Sequence, residues 1–232
     1  MRVGVLFSGG KDSCLALIKA IGKNTIKCLI NVCSENPESY MFHTINSDFT
    51  RLQAKAMKIP LERIRTKGLE EKEVYDLKLG LLKIKKKYKL EGIVSGAIAS
   101  NYQYSRINKV CEELRLKSIT PLWQKPQEIV LKDVLKNKIK AIIVGVFADN
   151  LNKDFLGKEI DYAFIRKMQE LNKRTGLNIS GEGGEFETFV IDAPVFKRRI
   201  VIQDFIIDYK NNSGVMKIRT AKLERKLKTK SK

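Results

Sequence analysis

Alternation of short apolar runs with amphipathic helical patterns predicts an α/β fold, a parallel sheet with helices on both faces, joined to a smaller α+β C-terminal lobe. Two further observations point the same way. A glycine-rich loop, Ser8–Ser13, follows directly on the first apolar run, Val3–Phe7. Beyond Leu122-Trp123-Gln124-Lys125-Pro126 the alternation gives way to a different order ending in a hairpin pattern. The expected units are residues 1–122, an α+β lobe at 123–225, and a basic tail at 226–232 with little to bury, expected to be disordered.

The strands of the first unit are expected at Arg2–Phe7, Ile26–Val32, Leu61–Arg65, Gly92–Ser95 and Ser118–Pro121. The intervening helices are expected at Ser13–Ile21, Ser47–Met57, Glu70–Tyr88 and Tyr102–Leu114. After the boundary come a helix at Gln127–Lys136, an apolar strand at Ala141–Phe147 and a helix at Asp161–Arg174. The loop Gly181–Gly184 leads into an extended segment, Phe186–Ile191. Arg199–Tyr209 and Gly214–Thr220 read as hairpin arms around the turn-rich Asn211-Asn212-Ser213-Gly214.

The chain has 232 residues, 43% of them hydrophobic, enough for one large domain or two small ones. Its net charge of +19 is unusual. The last eleven positions, Lys222–Lys232, hold six basic residues against one acid, and Lys83, Lys85, Lys86, Lys87 and Lys89 crowd one expected helix. Such charge favours polyanions such as nucleotides, RNA or acidic protein surfaces. The other reading is a solvated lysine surface. Cys14, Cys28, Cys33 and Cys111 form no C-x-x-C, and the single His43 completes no zinc pattern, so neither a disulfide framework nor a structural zinc is expected. No apolar run is long enough for a membrane span, and the protein is expected to be cytoplasmic with no membrane partner.

The loop Ser8-Gly9-Gly10-Lys11-Asp12-Ser13 places backbone N–H groups and a lysine at the start of a helix, where unpaired donors and partial positive charge suit a phosphate. The spacing is neither Walker A nor the Rossmann fingerprint. The plainer alternative is a serine-glycine turn before an ordinary helix. In a parallel sheet ligands sit at the carboxyl ends of strands, so this loop, Val32–Ser34 and Ser95–Ser100 are expected to share one cleft. In Gly181–Thr188, Glu182, Glu185 and Glu187 crowd beside glycines, and along an extended chain Glu185 and Glu187 fall on one face. Paired carboxylates can hold Mg²⁺ or accept protons from an amine. The alternative is an acidic surface turn.

The first loop resembles the pyrophosphate (PP) loop of the ATP pyrophosphatase superfamily, which has a HUP-like nucleotide-binding lobe. Together with Glu38–Thr44, Ser95–Gln103, Arg106, Val110-Cys111, Pro121-Leu122-Trp123 and Gly181–Thr188, it resembles one branch of it, the diphthine–ammonia ligases or diphthamide synthases, in a short archaeal form. The resemblance implies an ATP-using ligase. It would adenylate the carboxylate of diphthine on the translocating elongation factor, release pyrophosphate, and let ammonium displace AMP to leave diphthamide. It implies that Ser8, Gly9, Gly10, Asp12 and Ser13 hold the pyrophosphate and that Lys11 neutralises it. Ser34, Gly96 and Ala97 would lie at the adenosine, with Met41 or Phe42 packed on the base. Tyr102, Gln103 and Arg106 would meet the substrate. Lys11, Glu182, Glu185 and Glu187 would be catalytic, with Asp12 and Glu185 as Mg²⁺ ligands. A homo-oligomer and an RNA contact are left open, as are two other functions: a PP-loop tRNA-modifying enzyme and a non-catalytic ATP-binding module.

Overall fold

The computed structural model describes residues 1–36, 45–69 and 71–226. Met41, Phe42, His43, the expected helix start Glu70 and the tail beyond Lys226 lie outside the described residues.

The first lobe is a five-stranded sheet in the order β3-β2-β1-β4-β5, every neighbouring pair parallel. Its strands are β1 (Arg2–Leu6), β2 (Thr25–Ser34), β3 (Leu61–Thr66), β4 (Gly92–Val94) and β5 (Lys117–Ile119). Each strand is followed by a helix: α1 (Lys11–Ala20), α2 (Thr50–Met57, behind a 3₁₀ turn at Ser47–Phe49), α3 (Lys72–Tyr88), α4 (Asn101–Glu113) and α5 (Gln127–Lys136). Strand side chains alternate between faces, and the core divides accordingly. Val3, Val5, Leu29 and Val94 pack with residues of α1, α2 and α5, whereas Cys28, Ile30, Val32 and Ile93 pack with α3 and α4. A doubly covered parallel sheet follows, as its apolar strands require. The strand order reverses between β1 and β4, which leaves a crevice at their carboxyl ends.

The second lobe is antiparallel, in the order β7-β6-β9-β8, with β6 (Lys140–Val146), α6 (Tyr162–Thr175), β7 (Phe186–Asp192), β8 (Arg198–Lys210) and β9 (Ser213–Arg225). The hairpin arms are longer than the sequence pattern suggests, because Ile200 and Ile202 pair with Leu223 and Ala221 and carry the ladder through the basic stretch. Lys226, expected at the head of a disordered tail, is held by Asp192 at 2.6 Å and donates to the carbonyl of Ala193.

The two sheets share one core. Phe186, Phe189, Val190, Val144 and Val146 of the second lobe lie in the same cluster as Phe7, Leu15 and Leu17 of the first. At about 1.5–3 kcal/mol for each fully buried large side chain, this shared surface is a principal source of stability. Polar groups stitch the same seam. Gln53 on α2 is fully buried, and its Nε2 donates to the carbonyls of Gly9 (2.9 Å) and Val190 (2.8 Å). Val190 N donates to Gly9 O (2.9 Å). Gly9 has φ +92°, and a Cβ there would lie 2.6 Å from Gln53 Oε1, so both backbone shape and space demand glycine.

All four cysteines are free. Burial pushes the Cys14 and Cys28 thiols up to about 12, and that of Cys111 to about 11. Raised values keep these groups as unreactive thiols at neutral pH. Cys33 is half-buried at the end of β2. The native protein at about pH 8 should therefore react with Ellman's reagent at Cys33 alone, and at all four sites only after unfolding. Gln53→Ala should cost about 1–3 kcal/mol, read from urea midpoints, since it strips a buried donor from two carbonyls.

Candidate active site

A cleft of about 500 Å³ opens at the carboxyl ends of β1, β2 and β4, with segment 181–188 of the second lobe as its far wall. Ser8, Gly10, Lys11, Asp12 and Ser13 line one side. Gly10, the N-cap of α1, has no side chain to cap the helix; Thr188 takes the first N–H, that of Lys11, and Asp12 and Ser13 of the same turn line the cleft, with the helix's positive end toward an anion. The loop is nonetheless rigid. Ser13 Oγ donates to Gly10 O (3.0 Å), Ser8 Oγ lies 3.3 Å from Ser13 Oγ, and Lys11 N donates to Thr188 Oγ1 (3.0 Å) across the seam. Lys11 is 3% exposed. Its Nζ sits 2.8 Å from Asp12 Oδ2 and 5.3 Å from the centre of the Phe186 ring. A buried ammonium needs such a partner, and a bound phosphate would supply a second.

The loop after β4 forms the floor. Gly96 approaches the first turn of α1 so closely that a Cβ would lie 2.9 Å from Ser13 N. Gly96, Ala97 and Gln103 all line the cleft. So does Asn31, which is 1% exposed and whose Nδ2 donates to Phe7 O (3.0 Å), tying the ends of β1 and β2 together.

The three glutamates of the acidic motif take different places. Glu187 lies on β7 opposite Gly145 and lines the cleft. Glu182 also lines it, and its Oε1 accepts from the backbone N–H groups of Ile98, Ala99 and Ser100. Glu185 does not share the face of Glu187. The strand begins only at Phe186, and Glu185 is turned beneath its own loop, where Oε1 accepts from Asn178 N (3.1 Å) and Oε2 is buried without a hydrogen bond. Among the described residues, no three carboxylate, histidine or cysteine groups are arranged to hold a metal. Mg²⁺ is commonly bound by one or two carboxylates plus substrate phosphates, and Asp12, beside the loop, fits that demand; Glu185, away from the cleft wall, does not.

Other expected site residues lie elsewhere. Gly9 sits behind the loop, its carbonyl facing Gln53 and Val190. Ser34 Oγ is folded onto the backbone of Asn36. Arg106 stacks over the Tyr102 ring at 3.5 Å and pairs with Glu71, in a groove between α3 and α4. Residues 102 and 106 are one helical turn apart and so share a face, whereas Gln103 and Ile107 take the face toward the cleft. Asn31 and Asn178 were not singled out by the sequence; Ser95 and Thr188 entered only as end residues of the segments Ser95–Ser100 and Gly181–Thr188, with no role of their own.

Thr188→Val keeps the shape but removes the acceptor for Lys11 N. Isothermal titration should show affinity for ATP or pyrophosphate falling about tenfold with a melting temperature near wild type, and Thr188→Ser should restore binding.

The chain matches the model of the diphthamide synthase N-terminal domain over residues 1–118 and that of its C-terminal domain over residues 126–223. It is 40% identical over 222 residues to mouse diphthine–ammonia ligase, covering 87% of this chain and 83% of that one. It is 39% identical to the human protein of the same name, with the same coverage. The fission-yeast diphthine–ammonia ligase is 36% identical over 88% of this chain but 36% of its own greater length. A solved chain described as a predicted subunit of tRNA methyltransferase from Methanocaldococcus jannaschii aligns with TM-score 0.42 and 20% identity, over 83% of this chain and 97% of that one. No helix among the described residues is long and apolar enough to cross a membrane. With both family domains matched in order and relatives near 40% identity over most of its length, the chain belongs to the diphthamide synthase family of carbon–nitrogen ligases.

Proposed function

We propose that the protein uses ATP to convert the carboxylate of diphthine, on the translocating elongation factor, to the carboxamide of diphthamide. The observation that carries this reading is the meeting, in one cleft, of the glycine loop and start of α1 with Glu182 and Glu187 from the second lobe. A carboxylate is a poor electrophile. Attack of its oxygen on the α-phosphorus of ATP breaks the α–β bond, expels pyrophosphate and leaves an acyl-adenylate. Ammonia then attacks the acyl carbon, and AMP departs with the bonding pair.

The residues divide this work by position. Ser8, Gly10, Ser13 and the first turn of α1 receive the β,γ-phosphates, and Lys11 neutralises the charge that builds on departing pyrophosphate. Asp12 would hold an Mg²⁺ that accompanies the nucleotide, and the ion would screen the phosphate charge. Gly96 and Ala97, packed beside α1, offer main-chain groups to the adenosine. Glu187 accepts the proton that ammonium must lose before nitrogen can attack. Its carboxylate also draws the cation into the cleft.

The test is direct. Incubation with diphthine-bearing elongation factor, ATP and ammonium should yield AMP, pyrophosphate and a carboxamide seen by mass spectrometry, and omission of the modified factor should abolish all three. AMP formed equally without the factor would sink the reading. Lys11→Ala should slow AMP formation roughly tenfold to a hundredfold, the worth of a charge-assisted contact to the phosphates. Glu187→Gln should slow amide formation while leaving ATP affinity near wild type.

A further inference from the structure

We propose that the backbone amides of Ile98, Ala99 and Ser100, with the hydroxyl of Ser95, form the subsite for the acceptor's carboxylate, and that Glu182 fills it as an internal stand-in which leaves when the acceptor arrives. Naming diphthine as that acceptor rests on the amidation reading above.

The cradle is built from one short segment. A single oxygen, Glu182 Oε1, takes N–H groups from Ile98 (3.1 Å), Ala99 (2.9 Å) and Ser100 (3.2 Å). These amides lead into α4, a 13-residue helix whose dipole adds to their pull on negative charge. Glu182 is not needed as this helix's own cap. Ser100 already fills that place, its Oγ accepting from Gln103 N. The carboxylate is therefore an additional occupant, brought from more than eighty residues away in sequence.

A second, separate feature marks the place as a binding site. Ser95 follows directly on β4 and is 2% exposed, and its Oγ has no hydrogen-bond partner among the described residues. It lines the same cleft as Glu182 and Ser100. A buried hydroxyl left unsatisfied is costly, and an incoming carboxylate oxygen would accept from it.

The present occupant identifies the ligand class. A site that holds one carboxylate oxygen on three amides is suited to another. The turn that carries Glu182 stays anchored by its backbone, Glu182 N donating to Asn178 Oδ1, so the displacement proposed is of the Glu182 side chain, whose loop has open space beside Gly184. Once the acceptor is activated, the same amides face the acyl oxygen, which gains negative charge as ammonia attacks and loses it as AMP leaves.

Crystals of Glu182→Ala soaked with acetate should show an acetate oxygen on the three amides, while wild-type crystals should not. In kinetics, Glu182→Ala should lower KM for the diphthine-bearing factor about tenfold and leave KM for ATP unchanged. Ser95→Ala, which folds without a buried orphan hydroxyl, should raise KM for the factor about tenfold with a melting temperature at or above that of the wild type. Acetate absent from the variant, inorganic phosphate taking the cradle in its place, or a higher acceptor KM in Glu182→Ala would each overturn the proposal. Should the alanine variant misfold, Glu182→Gln provides the same kinetic comparison with the plug weakened. A wild-type enzyme that makes no amide would refute the amidation reading alone, because the acetate result does not depend on turnover.

Discussion

A phosphate-binding loop has two demands that conflict. Its donors must be left unpaired for the ligand, yet its backbone must not move. Here the conflict is resolved by tying down part of the loop's backbone from outside and leaving the rest of its donors to the ligand. The carbonyl of Gly9 is held by Gln53 and Val190, and the N–H of Lys11 by Thr188. All three partners lie far away in sequence, and two of them, Thr188 and Val190, belong to β7 of the second lobe. The clamp lies on the seam where the two sheets share their core, and it fixes the loop that forms one side of the cleft. The lobes are separate in topology but not in mechanics.

The electrostatics of the cleft run against those of the molecule. The chain as a whole is strongly basic, which favours approach by an anionic nucleotide. Within the cleft, however, the buried lysine is paired with Asp12, and Glu182 and Glu187 line the same space. Long-range attraction and local chemistry thus have different signs. The outer field suits phosphate, whereas the inner carboxylates suit Mg²⁺ and ammonium. Many of the basic residues outside the cleft are spent in exposed pairs such as Lys132–Glu128 and Arg199–Glu224, each worth little by itself.

Most of the fold was legible because buried parallel strands are apolar runs and their helices keep a helical period. The five strands of the first sheet were found within a few residues, and the phosphate loop stood out by its glycines. What local pattern does not contain was missed. Gln53 reads as an ordinary polar residue on a helix, and only the arrival of β7 makes it a buried bridge. Tyr102 and Arg106 were expected beside Gln103, but a helix has faces, and a single residue's offset turned them toward Glu71 on the opposite flank. Glu185 was expected beside Glu187 because side chains alternate along strands, and the strand began one residue too late for the rule to apply. The hairpin was underestimated because charged residues on its outer face masked the pairing of its inner one.

The clamp also has a meaning in time. Residues 8–13 leave the ribosome early, while Thr188 and Val190 follow some 175 residues later, on the order of ten to thirty seconds at about 5–20 residues per second. Until β7 emerges, Lys11 N and Gly9 O lack their partners from that strand. A nascent chain thus carries a loose phosphate loop and no far wall to its cleft. The cleft is completed only near the end of synthesis, by chain order itself.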